Sequence, residues 1–199
     1  MSDIWKEIQN VAESNGGSFT TRQVEEAGIS RAYLKSYVDD ARLVRTGHGH
    51  YSLSDALTDE FALLQKHSHV LLFSYGTALY LWGMTDRIPH HIDVTVPSGT
   101  NMSRIRKDHP DLRVHYLKKE LYEIGITETG TPMGSNVRLY DRERCICDLV
   151  RARKDMDMQL YSGAIKGYFS GHPDMRKILK YGKQFGIEDK LRTYSEVLL

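Results

Sequence analysis

Twelve side chains between Thr20 and His50 offer the clearest chemistry in this sequence. They are Thr20, Thr21, Arg22, Ser30, Arg31, Tyr33, Lys35, Ser36, Arg42, Arg45, His48 and His50. Each can donate a hydrogen bond, and the arginines and Lys35 are permanent cations. No pair of carboxylates stands among them to hold a metal or shuttle a proton. Such a set suits recognition of an anion, above all a phosphate backbone, better than bond making. His48 and His50 flank Gly49; a neutral imidazole donates to phosphate, and a protonated one does so more strongly.

Catalytic patterns are missing elsewhere. There is no Gly-rich phosphate loop followed by Lys-Ser/Thr and no His-Glu-x-x-His. Gly134-Ser135 resembles the start of a nucleotidyltransferase signature, but no Asp-x-Asp follows on a strand to hold the metal ions that such chemistry needs. Asp155-Met156-Asp157 has the spacing, yet falls where a loop or helix start is expected, so a capping role is the reading. Cys145 and Cys147 lack the further ligands of a zinc site. His90-His91 reads as a surface loop. The expectation is no catalytic residue, no metal, no cofactor and no enzyme.

Two helices and a hairpin must position the donors. Thr20 stands three residues before Gln23, a capping-box spacing. The helix it starts should turn Val24 and Ala27 inward. Gly28 then supplies the left-handed backbone that a tight inter-helix turn needs. Ser30 is the expected N-cap of a second helix, with Leu34, Val38 and Ala41 as its apolar stripe. That stripe leaves Arg31, Tyr33, Lys35 and Ser36 facing outward. Leu43-Val44-Arg45 and Tyr51-Ser52-Leu53 read as strands around a turn-rich tip at 46–50. Helix, turn, helix and hairpin in this order describe a winged helix-turn-helix, a DNA-reading module. From Ser30 to Leu53 four cations face two carboxylates, which implies modest affinity per copy.

The 199 residues hold 27 Lys plus Arg against 26 Asp plus Glu, a net charge of +1 that excludes a uniformly basic coat protein. Two cysteines placed two apart do not make a disulfide framework, which points to a reducing cytoplasm. The opening Met-Ser-Asp-Ile-Trp lacks the regions of a signal peptide. Val70 to Met84 is the most apolar run; it is too short to cross a bilayer and reads as a buried helix.

In chain order, a first helix over 2–14, capped by Ser2, should bury Ile4, Trp5, Ile8, Val11 and Ala12. A boundary near Ser54 divides 1–53 from 54–199. A helix start at Ser54 and Asp55 leads into Leu57, Phe61 and Leu64. Strands are expected at Ile92–Val96, Leu112–Leu117, Tyr122–Ile126 and Val137–Tyr140. Asp141 should cap a helix to about Arg153, and helices fit 156–169, 173–184 and 187–198. Arg176, Lys177, Lys180 and Lys183 would share one helix side. The fold class is therefore α+β: a winged helix-turn-helix, then an α+β domain with a small sheet and C-terminal helices.

Three stretches carry a family resemblance. "TTRQVEEAGISRAYLKSYVDDARLVRTGHGHYSL", "FSYGTALYLWGMTDRIPHHIDVTVPSG" and "VRLYDRERCICDLVR" together resemble the AbiEi-type antitoxins of type IV toxin–antitoxin systems, which act in abortive-infection phage defence. The resemblance spans nearly the whole chain. It implies a transcriptional repressor of its own operon that binds inverted-repeat double-stranded DNA, and an antitoxin domain at 54–199. It also implies a nucleotidyltransferase-like toxin as functional partner, without a stable complex, so no toxin-contact residue carries over. The densest like-charge patch outside the first domain, Arg176, Lys177, Lys180 and Lys183, is the expected antitoxin surface. No heptad seam announces a constitutive dimer, so a free monomer that pairs cooperatively on DNA is expected, with no membrane partner. The alternative is a ligand-responsive winged-helix regulator with a sensing pocket near the Thr77–Trp82 helix. A weaker third reading is a degenerate nucleotidyltransferase-like enzyme.

Overall fold

The computed structural model describes residues 4–54 and 59–198. They fall into two compact units: residues up to 63 with 103–109, and residues 64–102 with 110–198. The expected Ser2 cap and the contributions of Asp55 and Leu57 lie outside the described residues.

The first unit begins with α1 (Ile4–Glu13), strand β1 (Ser18–Thr20), α2 (Thr21–Glu26) and α3 (Ala32–Asp39). The hairpin of β2 (Leu43–Gly47) and β3 (His50–Leu53) follows. The capping box is present in both directions. Gln23 N–H donates to the Thr20 hydroxyl at 3.2 Å, and Thr20 N–H donates to Gln23 Oε1 at 2.7 Å. The same Gln23 amide donates to Asn15 Oδ1 at 2.7 Å, tying the end of α1 to α2. Thr20→Ala should therefore cost about 1 kcal/mol, read as a lower denaturation midpoint at unchanged slope.

Ile8, Ala12, Phe19, Val24, Ile29, Leu34 and Leu43 form the buried centre of this unit, with Trp5, Val38 and Tyr51 packed against it. Three expectations are corrected. Ala27 is exposed because α2 ends before it. Ala41 lies beyond α3 at φ +55 and is exposed. Ser30 starts a turn rather than sitting at the N-cap, which is Arg31; its hydroxyl still accepts the Ala32 N–H at 3.3 Å. Gly28, at φ +80, makes the turn between α2 and α3. Strand β1, only three residues long, is too short for an alternation to show in the sequence; it pairs antiparallel with β3, giving the order β1-β3-β2.

The second unit is a five-stranded mixed sheet with helices. Its strands are β4 (Leu72–Phe73), β5 (Ile92–Pro97), β6 (Leu112–Leu117), β7 (Ile126–Gly130) and β8 (Asn136–Tyr140), in the order β6-β5-β4-β8-β7. The expected single helix over Val70–Met84 is instead strand β4 followed by α5 (Tyr75–Leu81). Residues 71–79 are all buried, so no polar face reveals a period, and apolarity alone cannot separate strand from helix there. The break falls at Tyr75, whose φ is +45. Tyr122 belongs to α7 (Lys119–Tyr122), not to a strand, and the strand begins only after Gly125. Gly125, at φ +79, is required: a Cβ there would lie 2.8 Å from Arg144 Cβ. The remaining helices are α4 (Glu60–Lys66), α6 (Ser103–Asp108), α8 (Arg142–Arg151), α9 (Met158–Phe169), α10 (Met175–Phe185) and α11 (Glu188–Leu198), with α6 packing in the first unit. Asp141, Asp157 and Asp174 accept N–H groups of the first turns of α8, α9 and α10. The α+β class read from the sequence is the one observed.

Candidate nucleic-acid interface

Helix α3 buries Leu34 and turns Arg31, Tyr33, Lys35 and Ser36 outward, as the spacing required. Arg31 stands at the helix start, 3.9 Å from Glu25 in an exposed pair that solvent weakens. Lys35 makes no ion pair among the described residues. The Ser36 hydroxyl donates back to Tyr33 O at 2.8 Å and so is partly spent within the helix.

The other donors divide between available and occupied. Thr20 serves the cap. Thr21 stitches α2 to the hairpin tip: its N–H donates to Gly49 O at 2.8 Å. Arg22 pairs with Glu26 at 2.7 Å on the exposed side of α2. Arg42 is drawn onto aromatic faces, 5.3 Å from the Trp5 ring and 5.9 Å from the Tyr37 ring, which couples α1, α3 and the strand that follows. Arg45 donates to Gly47 O at 3.3 Å and lies beside the exposed His48, 3.4 Å from its Nδ1. His50 sits half-buried in β3, opposite Thr20 on one side and Gly47 on the other, so only His48 stands at the tip.

Beside the hairpin lies a cleft of about 450 Å³ lined by Arg45, His48, Arg104, Lys107 and Asp108, with Thr46 and Gly47. Arg104 and Lys107 come from α6 and are not among the donors that the sequence singles out. The signal was there, three cations in the four residues Arg104 to Lys107, but which element that run would pack against is not a local property.

The donors of α2, α3 and the hairpin fall within a segment that matches a family model, whereas α6 lies outside it. Residues 6–54 match the family model of the AbiEi antitoxins, described as transcriptional regulators. The resemblance seen in the sequence is borne out over that AbiEi segment, and the family is one of regulators rather than enzymes. No curated protein matches the sequence. Among solved structures, the RV2827C protein from Mycobacterium tuberculosis is similar over 98% of this chain and 82% of its own, with a TM-score of 0.60 and 12% identity. At that identity the likeness shows the fold alone. No helix among the described residues is long and apolar enough to cross a membrane.

The second unit has polar features of its own. A cavity of about 580 Å³ is bordered by Gly76, His90, His91, Asp93 and Arg113. Asp93 lies 2.9 Å from His115 Nε2, whose ring stacks on Tyr75 at 4.0 Å, and Asp93 N–H donates to Thr77 Oγ1 at 2.8 Å. Burial pushes the Tyr75 hydroxyl above its usual range. No cluster among the described residues has the composition to hold a metal ion. Gly134, at φ +86, belongs to the turn between β7 and β8. Cys145 and Cys147 are buried free thiols, and burial pushes Cys147 up to about 12, which leaves it protonated and unreactive at neutral pH.

The expected antitoxin patch is only partly free. Arg176, Lys180 and Lys183 are exposed on α10. Lys177 instead bridges Asp141 at 3.0 Å and Glu143 at 2.9 Å. Burial pulls its ammonium down, but the two carboxylates outweigh that and hold it above the usual lysine range.

Proposed function

We propose that this chain is a transcriptional repressor and antitoxin of a type IV, phage-defence toxin–antitoxin pair. Residues 1–53 read inverted-repeat DNA of its own operon as a winged helix-turn-helix, and residues 54–199 oppose a nucleotidyltransferase-like toxin without a stable complex. The observation that carries the DNA reading is α3: one face is closed by Leu34, and Arg31, Tyr33 and Lys35 are offered to solvent after a glycine turn. The AbiEi match over residues 6–54 supports the same reading. Arg31 and Tyr33, at the helix start, reach base edges; Lys35 and Arg45 meet phosphates. The protein is monomeric when free and pairs cooperatively on the repeat.

Gel shifts on the inverted-repeat DNA and on a scrambled duplex test this. Arg31→Ala should lose roughly 1–3 kcal/mol of discrimination between the two, the worth of a bidentate base contact. Lys35→Ala should weaken both alike. Unchanged binding in both variants removes the assignment.

A second reading, ligand-responsive regulation, draws on the cavity beside Asp93 and Gly76. Release of the repeat DNA by a small molecule that also raises the melting temperature would select it.

A further inference from the structure

We propose that α6 completes the DNA-binding surface: Arg104 and Lys107, with Arg45 and His48 across the cleft, clasp the sugar–phosphate backbone of the duplex flanking the bases that α3 reads. The inference rests on the DNA reading above and extends it to residues far from the first 53.

Four observations carry it. First, 103–109 packs with the first unit although its neighbours in the chain, strands β5 and β6, belong to the second. Second, Arg104 and Lys107 are three apart, so they share one side of α6, and both line the cleft. Third, both are exposed and make no ion pair among the described residues. Fourth, the one carboxylate in the cleft, Asp108, is already engaged: its Oδ2 accepts the His48 N–H at 3.3 Å. That bond ties α6 to the hairpin tip, and the three permanent cations around the cleft still outnumber its one carboxylate. Three permanent cations around about 450 Å³ of open space, with an imidazole at the rim, match a run of phosphates. They carry no base-reading geometry, so the contribution is to affinity and register rather than to sequence choice.

The experiment uses the full-length chain and two duplexes, the inverted repeat and a scrambled one, titrated across salt concentrations. Arg104→Gln/Lys107→Gln should weaken both duplexes alike, roughly ten- to a hundredfold at moderate salt. The slope of log affinity against log salt should fall by about 2, one unit for each phosphate that the variant no longer neutralises. Arg106→Gln, on α6 but outside the cleft, serves as a single-charge control and should leave the slope unchanged. All three positions are exposed, so melting curves should coincide with the parent. An unaltered slope in the double variant overturns the α6 site while leaving the α3 assignment intact, provided Arg31→Ala still loses discrimination. A fall of about 1 in Arg106→Gln, the same per charge as in the double variant, overturns the cleft in favour of general charge. A parent chain that binds neither duplex overturns both readings together.

Discussion

Arg144→Met should remove about 3–5 kcal/mol of stability, the cost of stripping one partner from a buried ion pair. Arg144 is fully buried. Its Nε donates to Asp148 Oδ2 at 3.0 Å, and its Nη1 donates to Leu121 O and Ile124 O at 2.7 Å each. The guanidinium lies 4.0 Å from the Tyr140 ring centre and 4.4 Å from that of Phe185. One planar group thus joins α8 to the α7–β7 connection, to β8 and to α10. Methionine restores much of the volume but none of the donors, so two carbonyls and a carboxylate are left behind in a dry interior. Asp148 keeps only Arg151, at 3.3 Å from its other oxygen.

The pH dependence gives a second check. Burial already pushes the Asp148 carboxyl up, while Arg144 and Arg151 pull it down. Losing Arg144 removes the stronger pull and moves it further up. A carboxyl that binds its proton more tightly when folded loses stability as pH rises from its unfolded value, about 4, through its folded one. The deficit of the variant should therefore grow between pH 4 and neutrality, measured by denaturant titration at each pH. Arg144→Met/Asp148→Leu, which removes both charges, should recover a good part of the loss. A loss under 1 kcal/mol for the single variant, or one independent of pH, would show that the pair contributes little.

What could be read in the sequence was what is local. The Thr20 box and the Asp141 cap work through hydrogen bonds across three residues, so spacing alone revealed them. Gly28 was legible because only one backbone conformation closes so short a turn. The outward row on α3 followed from Leu34 and the helical period. Residues 70–84 were not legible, because burial on all sides erases the alternation that separates strand from helix. Nor could Lys177 be told from its exposed neighbours: the carboxylates that hold it, Asp141 and Glu143, stand in a different helix segment. The cations of α6 were visible as residues, but their place beside the hairpin depends on the fold of the whole chain.

A full-length Arg31→Ala/Lys35→Ala/Arg45→Ala chain should still rescue cells from the toxin when the toxin is expressed from an unrelated promoter. Its affinity for the inverted repeat should fall roughly a hundredfold or more, since one base-reading side chain and two phosphate-binding ones are gone. The argument follows from the proposed pairing of repressor and antitoxin. Side chains committed to DNA on α3 and the hairpin cannot at the same time oppose a toxin, so neutralisation needs another surface. The unrelated promoter removes repression as a route to rescue. If colony counts drop to those of cells lacking the antitoxin, neutralisation requires the DNA-binding surface and the separation fails. The second unit offers Arg176, Lys180 and Lys183 as its free cations on α10, able to meet an acidic protein face or an RNA that the toxin acts upon. Reversing these three to glutamate in the DNA-deficient chain should abolish rescue without lowering the melting temperature, because none of them makes an ion pair among the described residues. Lys177 must stay unaltered in that variant: reversing it would set a third carboxylate against Asp141 and Glu143, and a failure to fold would then mimic a failure to neutralise. Undiminished rescue by the triple reversal would return α10 to the role of a solvated helix face and move the search for the neutralising surface to the cavity beside Asp93.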